Sequence, residues 1–213
     1  MKKLLSFAAV AAVFAAVFAF APGKNDILEI GSKAPKADVK MTDISGKQYS
    51  LSDLKKEDGL LVIFSCKTCP FVVGNAGKDS DGWQGRYNEL HKVASDANIG
   101  MVLVNSNEAF RGDVDSMESM KEQAQEQGYT MPYVIDENHV VADAFGALTT
   151  PHVYLFDKDM KLVYKGAIDD NVNDADAVAE PYLKNAILNL SKNEKIDPNS
   201  TRQLGCSIKR VKS

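Results

Sequence analysis

Two cysteines stand three positions apart in Cys66-Lys67-Thr68-Cys69, between a purely apolar run at 60–64 and Pro70. Thiols at that spacing can clasp a metal, staple the chain as a disulfide, or exchange disulfides with another molecule. Each chemistry asks something different of the surroundings. A metal clasp needs more ligands, and His152, directly after Pro151, is the candidate: Cys66, Cys69 and His152 would suit copper(I) or zinc. A redox centre needs one sulfur held as a thiolate. Proline is tolerated only in the first turn of a helix, so a helix is expected to begin near Lys67, with Cys66 just ahead of it and Cys69 inside its first turn. Unpaired N–H groups and the positive helix end would then face the Cys66 sulfur, and Lys67 would add positive charge. On that reading Cys66 is the nucleophile and Cys69 the thiol that resolves the mixed disulfide.

A third thiol, Cys206, is left over. The bland expectation is a buried or free tail thiol; the sharper one is an accessory thiol that resolves an intermediate or links to a partner. His91 and His139 fall in helix-like segments and are expected to be surface or packing residues. Asp169, Asn171, Asn173 and Glu180 occupy positions 1, 3, 5 and 12 of a calcium-loop pattern, but Asp174 stands where the sharp turn requires glycine. A solvated acidic loop is expected there instead. Trp83 and Phe110 are expected to be packed aromatics.

Compartment bears on this chemistry. Met1-Lys2-Lys3 followed by an uncharged apolar stretch at 4–21 has the pattern of an export signal, cleaved or retained as a membrane anchor. Export implies an oxidising envelope or periplasm, where a dithiol tends to become a disulfide unless a redox partner protein resets it. Without Lys2 and Lys3 the remainder holds 23 basic and 29 acidic residues, a balance that argues against nucleic-acid binding. The basic end "SIKRVKS" is expected to be a solvated tail.

The elements that must position the thiols can be read from the pattern. Residues 22–213 suit a single domain with a tail from about 195. The stretch "ADVKMTDISGKQYSL" alternates and breaks at Ser45-Gly46, predicting a β-hairpin. "LLVIFS" and "GMVLVNSN" are predicted as strands buried on both faces. Helical pattern covers 70–98 with a break at 74–82, and "GDVDSMESMKEQAQEQG" opens on acids and ends on glycine. A short strand, a short helix at 138–146, two strands joined at Lys158-Asp159 and a last helix around 182–190 complete the order. The sum is an α/β fold with a mixed central sheet and helices on both faces.

Several phrases resemble the peroxiredoxin-like redoxins of the thioredoxin superfamily, those grouped with alkyl hydroperoxide reductase and thiol-specific antioxidant proteins. Cys66-Lys67-Thr68-Cys69-Pro70-Phe71-Val72 is similar to that branch's Cys-Asn-His-Cys-Pro-aromatic-Val. Thr150-Pro151 with Phe156-Asp157, Tyr164-Lys165-Gly166-Ala167-Ile168-Asp169-Asp170, and the run Gly205-Cys206-Ser207-Ile208-Lys209 match its other phrases. The resemblance implies a three-layer α/β/α thioredoxin-like sandwich, and a cis Thr150-Pro151 that packs on the dithiol and docks the substrate backbone. It implies no organic cofactor, since the dithiol carries the electrons, and it implies protein dithiol or disulfide clients. Lys67-Thr68 replaces Asn-His. The peroxidase pattern Pro-x-x-x-Thr/Ser-x-x-Cys is absent: Val62 and Cys66, or Gly59 and Ile63, occupy its first two marked positions. The expected activity is therefore thiol-disulfide exchange, with peroxidase, metal delivery and a non-catalytic staple as the competing readings.

Overall fold

The computed structural model describes residues 26–211, so the apolar segment read as a signal or anchor lies outside the described residues. Among the described residues no helix is long and apolar enough to cross a membrane.

The chain opens with the expected hairpin. β1 (Met41–Asp43) and β2 (Gln48–Tyr49) pair antiparallel, Met41 opposite Tyr49. Ser50 then caps α1 (Leu51–Leu54), reciprocally with the Asp53 side chain. β3 (Gly59–Phe64) delivers the chain to the cysteines, and α2 (Pro70–Val73) and α3 (Tyr87–Asp96) follow with the break between them. β4 (Ile99–Asn105) leads to α4 (Met117–Gln127), which Ser116 caps and Gly128 ends at a φ of +63°, a conformation that costs glycine little. Next come β5 (Tyr133–Ile135), α5 (Val140–Phe145), β6 (Thr149–Thr150), β7 (His152–Asp157), β8 (Leu162–Gly166), α6 (Tyr182–Ser191) and β9 (Cys206–Ser207).

Residue parity along β3 divides the molecule into layers. Leu61 and Ile63 enter one core with Leu103 of β4, and Leu60, Val62 and Phe64 enter the other with Val102 and Val104. Successive strand residues must face opposite ways, so a strand apolar at every position needs cover on both sides. α3, α4 and α6 cover the first face through Tyr87, Leu90, Met120, Ala124, Leu183 and Ile187. α1 and α5 cover the second through Leu51, Val141 and Phe145. Each fully buried side chain of this size contributes roughly 1.5–3 kcal/mol, so the strands end as fixed platforms.

The sheet is mixed. β5 pairs parallel with β4 and antiparallel with β1, while β7 pairs antiparallel with both β3 and β8. β3 lies beside β4, and the Ser65 amide donates to the Val104 carbonyl at 2.9 Å. The expected three-layer α/β/α architecture with an N-terminal hairpin is the observed one. β6 and β9 form a separate two-residue antiparallel ladder above the end of β3, with Thr150 opposite Cys206.

The tail departs from expectation. Ile208 is buried in the second core. Its amide donates to the Leu148 carbonyl at 3.0 Å, and the Arg210 guanidinium reaches Asp143 at 2.7 Å. The basic end reads as solvated because its charges are dense, yet one apolar residue among them and one acceptor on α5 suffice to dock it.

Candidate active site around Cys66 and Cys69

The helix after the thiols begins at Pro70 rather than near Lys67, and Cys69 is its N-cap, with φ −81° and ψ 123°. Pro70 itself is the cause: its ring excludes the preceding residue from helical conformation, so Cys69 cannot lie inside a turn. Proline takes the first helical position, where it has no donor to lose. The Cys69 carbonyl accepts from the Val72 and Val73 amides at 2.8 and 2.9 Å. Cys66 therefore sits on a loop, away from the helix end expected to activate it. Lys67 does not face the sulfurs either, because its ammonium pairs with Glu122 at 2.9 Å.

That loop rests on Asp115, which is fully buried. Its carboxylate accepts from the Lys67 amide at 3.0 Å, from the Asn105 and Asn107 side-chain amides at 2.9 Å each, and from the Thr68 hydroxyl at 3.4 Å. Gln123 donates to the Cys66 carbonyl at 3.3 Å and receives the Tyr133 hydroxyl at 3.3 Å. Sequence reasoning missed this set, because Asp115 reads as a helix-opening acid. Two signals were present: Ser116 already supplies the cap, leaving Asp115 outside the helix, and Asn105-Ser106-Asn107 at the end of a buried strand must find polar partners.

Thr150 and Cys206 close the other side. The Thr150–Pro151 peptide is cis, as expected from the resemblance. The Thr150 hydroxyl lies 3.1 Å from the Cys66 sulfur, and the Cys69 thiol donates to the Thr150 carbonyl at 2.9 Å. The Cys206 amide donates to the Cys69 sulfur at 3.2 Å. All three cysteines are free thiols. Cys66 and Cys69 are only 1% and 2% exposed, while Cys206 is half-buried and packs against them.

Protonation follows from these partners. The Cys66 thiol is pushed well above its usual range, first by its hydrogen bond to Cys69, then by burial, with the Asp115 carboxylate adding to both against a pull from the Thr150 hydroxyl. Cys69 is drawn below its usual range, first by the hydrogen bond from Cys66 and further by the Cys206 amide, against burial and the Cys206 thiol. Cys69 is therefore the more readily ionised of the pair, since it collects donors from Cys66 and from the Cys206 amide, and on ionising it gives up its own hydrogen bond to the Thr150 carbonyl. This reverses the expected assignment of Cys66 as the thiolate. The physical reason is the helix start, which leaves Cys66 without helix amides, joined to the tail, which brings one to Cys69.

His152 is not part of the thiol site. Its ring stacks obliquely on Tyr154 with centroids 4.6 Å apart, and Nδ1 receives the Leu148 amide at 3.4 Å. Burial, then the Lys165 charge, drives its pKa down to about 3. Among the described residues no group of three metal-ligating side chains converges, so Cys66, Cys69 and His152 are not brought together as a ligand set. Asp169 is likewise committed, to the Trp83 indole at 2.8 Å and to Arg86, so it does not open a calcium loop.

Comparison with known proteins agrees with this architecture. Residues 30–165 match the model of the AhpC/TSA family. An uncharacterized conserved protein from Geobacillus kaustophilus has 32% identity and a TM-score of 0.77, over 88% of this chain and 95% of that one. A hypothetical protein from Sinorhizobium meliloti 1021 has 26% identity and a TM-score of 0.77, over 88% and 98%. The peroxidoxin BcpB from Mycobacterium tuberculosis, at 14% identity and a TM-score of 0.55 over 78% and 97%, shares the fold. No curated protein matches. With more than half of its length covered by the family model and a thioredoxin-like sandwich beneath the paired thiols, the chain belongs to the AhpC/TSA family of redoxins.

Proposed function

We propose that this redoxin is a thiol-disulfide oxidoreductase that exchanges disulfides with protein clients through Cys66 and Cys69. The observation that carries the reading is the pairing itself: two free thiols in mutual hydrogen bond, fixed against the Thr150 hydroxyl and carbonyl, with the first charge drawn to one of them. A lowered thiol adjoining a raised one is the arrangement exchange requires, since the first attacks an incoming sulfur and the second closes the ring. Cys69 thus attacks the sulfur presented to the pair, and Cys66 then attacks Cys69 to release that sulfur as a thiol. Thr150 and Pro151 shape the docking surface. The residues at the peroxidase positions, Val62 and Cys66 or Gly59 and Ile63, supply no pocket for peroxide.

We also propose a cell-envelope location, supported by the basic and apolar pattern of residues 1–21, and a second redox protein that resets the dithiol there. Fractionation of tagged full-length protein tests the location, and recovery in the cytoplasm would contradict it. The activity is tested by dithiothreitol-driven reduction of insulin. Wild type is expected to accelerate it, and Cys66→Ser and Cys69→Ser to lose at least about 100-fold of that acceleration. Full activity in both serine variants, or hydrogen peroxide consumed faster than insulin disulfides, would refute the assignment.

A further inference from the structure

Three thiols stand in a row, and the outermost has no role in the scheme above. Cys69 is hydrogen-bonded to Cys66 on one side and to the Cys206 side chain and amide on the other. Cys66 contacts Cys69, Thr150 and, more distantly, Thr68. Exposure follows the same order, from Cys206, half-buried, to Cys69 at 2% and Cys66 at 1%. A client sulfur that approaches from solvent meets Cys206 before either member of the pair.

The placement of Cys206 is specific. β9 pairs with β6 so that Cys206 lies opposite Thr150, the residue that touches both buried sulfurs. Gly205 lets the tail come this close: a Cβ there would stand 2.3 Å from the Thr150 carbonyl oxygen. Beyond the ladder the tail is pinned by Ile208 to Leu148 and by the Lys209 amide to Asn107 at 2.8 Å. Cys206 is thus held beside Cys69 from both directions.

We propose that Cys206 is the outer thiol of a three-sulfur relay, passing electrons between client disulfides and the buried Cys66–Cys69 pair. This rests on the exchange activity proposed above. The Cys206 thiolate attacks one sulfur of a client disulfide; the other client sulfur leaves as a thiolate and takes a proton. Cys69 thiolate attacks the Cys206 sulfur, the remaining client sulfur leaves and is protonated, and a Cys69–Cys206 disulfide stands in place of the mixed one. Cys66 thiolate then attacks the Cys69 sulfur and Cys206 departs as a thiol. In sum, one client disulfide becomes two client thiols, and two protons and two electrons leave Cys66 and Cys69. The sequence runs backwards for a client dithiol.

Oxidised glutathione is the probe, with thiols quenched by acid at short times and the bonded cysteines mapped by mass spectrometry. The relay predicts glutathione on Cys206 that persists in Cys69→Ser, and a Cys69–Cys206 disulfide that accumulates in Cys66→Ser. It predicts that Cys206→Ser forms its Cys66–Cys69 disulfide at least about tenfold more slowly than wild type. Glutathione first found on Cys66 or Cys69, or Cys206→Ser oxidised at the wild-type rate, would overturn the relay and leave the dithiol activity intact. Wild type that forms no Cys66–Cys69 disulfide at all would remove both.

Discussion

The two sides of the dithiol are built differently. Beneath it, Asp115 is buried and gathers four donors from the Cys66 loop and from the end of β4. Above it, β9 contributes a two-residue ladder, and residues 202–207 of the same segment are all at least partly exposed. Asp115, Asn105 and Asn107 are cut off from water, so any of the three that lets go is left unpaired and the floor resists opening. A cover whose groups can turn to solvent opens at small cost. The spacing of the thiols is thus fixed from below while access to them is set from above.

The largest expected effect is on the floor. Asp115→Ala leaves the Lys67, Asn105 and Asn107 donors facing a void and should lower stability by about 3–5 kcal/mol in urea denaturation. A loss comparable to that of an exposed carboxylate would show that the floor is not what anchors the loop.

Acid acts between the two regions, at His152, which receives the Leu148 amide while the Leu148 carbonyl receives the cover's Ile208 amide. Its folded pKa, about 3, lies below the ordinary 6.5, so between those values the unfolded chain binds a proton that the folded one refuses. Stability attributable to this group is therefore constant above pH 6.5 and falls as pH drops through the window. From pH 6.5 to 4.5 the loss should reach about 2 kcal/mol, and His152→Phe should abolish that component in denaturation measured across pH. An unchanged pH slope in the variant would contradict the buried neutral ring.

Gly205→Ala acts on the cover alone. The new methyl collides with the Thr150 carbonyl, so β9 must lift. Alkylation of Cys69 should quicken about tenfold, the effect of roughly 1.4 kcal/mol on an opening equilibrium, with stability little changed. Unaltered labelling would mean that the cover tolerates the collision without opening.

Much of this was legible in the residues. β3 and β4 announce burial on both faces by the unbroken apolar runs 60–64 and 101–104, Gly46 and Gly128 mark a turn and a helix end, and Pro70 and Pro151 bracket the thiols. What could not be read is what depends on contacts distant in sequence. Asp115 is 48 residues from the Lys67 amide it holds, and Cys206 lies 137 residues from Cys69. His152 seemed close to the thiols because it adjoins Pro151, but its ring is claimed by Tyr154 and Leu148. The helix start is a different kind of miss. The restriction that proline places on its predecessor is local and would have assigned Cys69 to the cap.

The central claim is that the charge of the reduced site sits on Cys69, between a deeper thiol and an outer one. Residue-resolved alkylation of the reduced protein by iodoacetamide at neutral pH tests it directly, with mass spectrometry reporting each cysteine in time. Modification is expected first at Cys206, then at Cys69, and last at Cys66. Cys66 labelled ahead of Cys69 would contradict it.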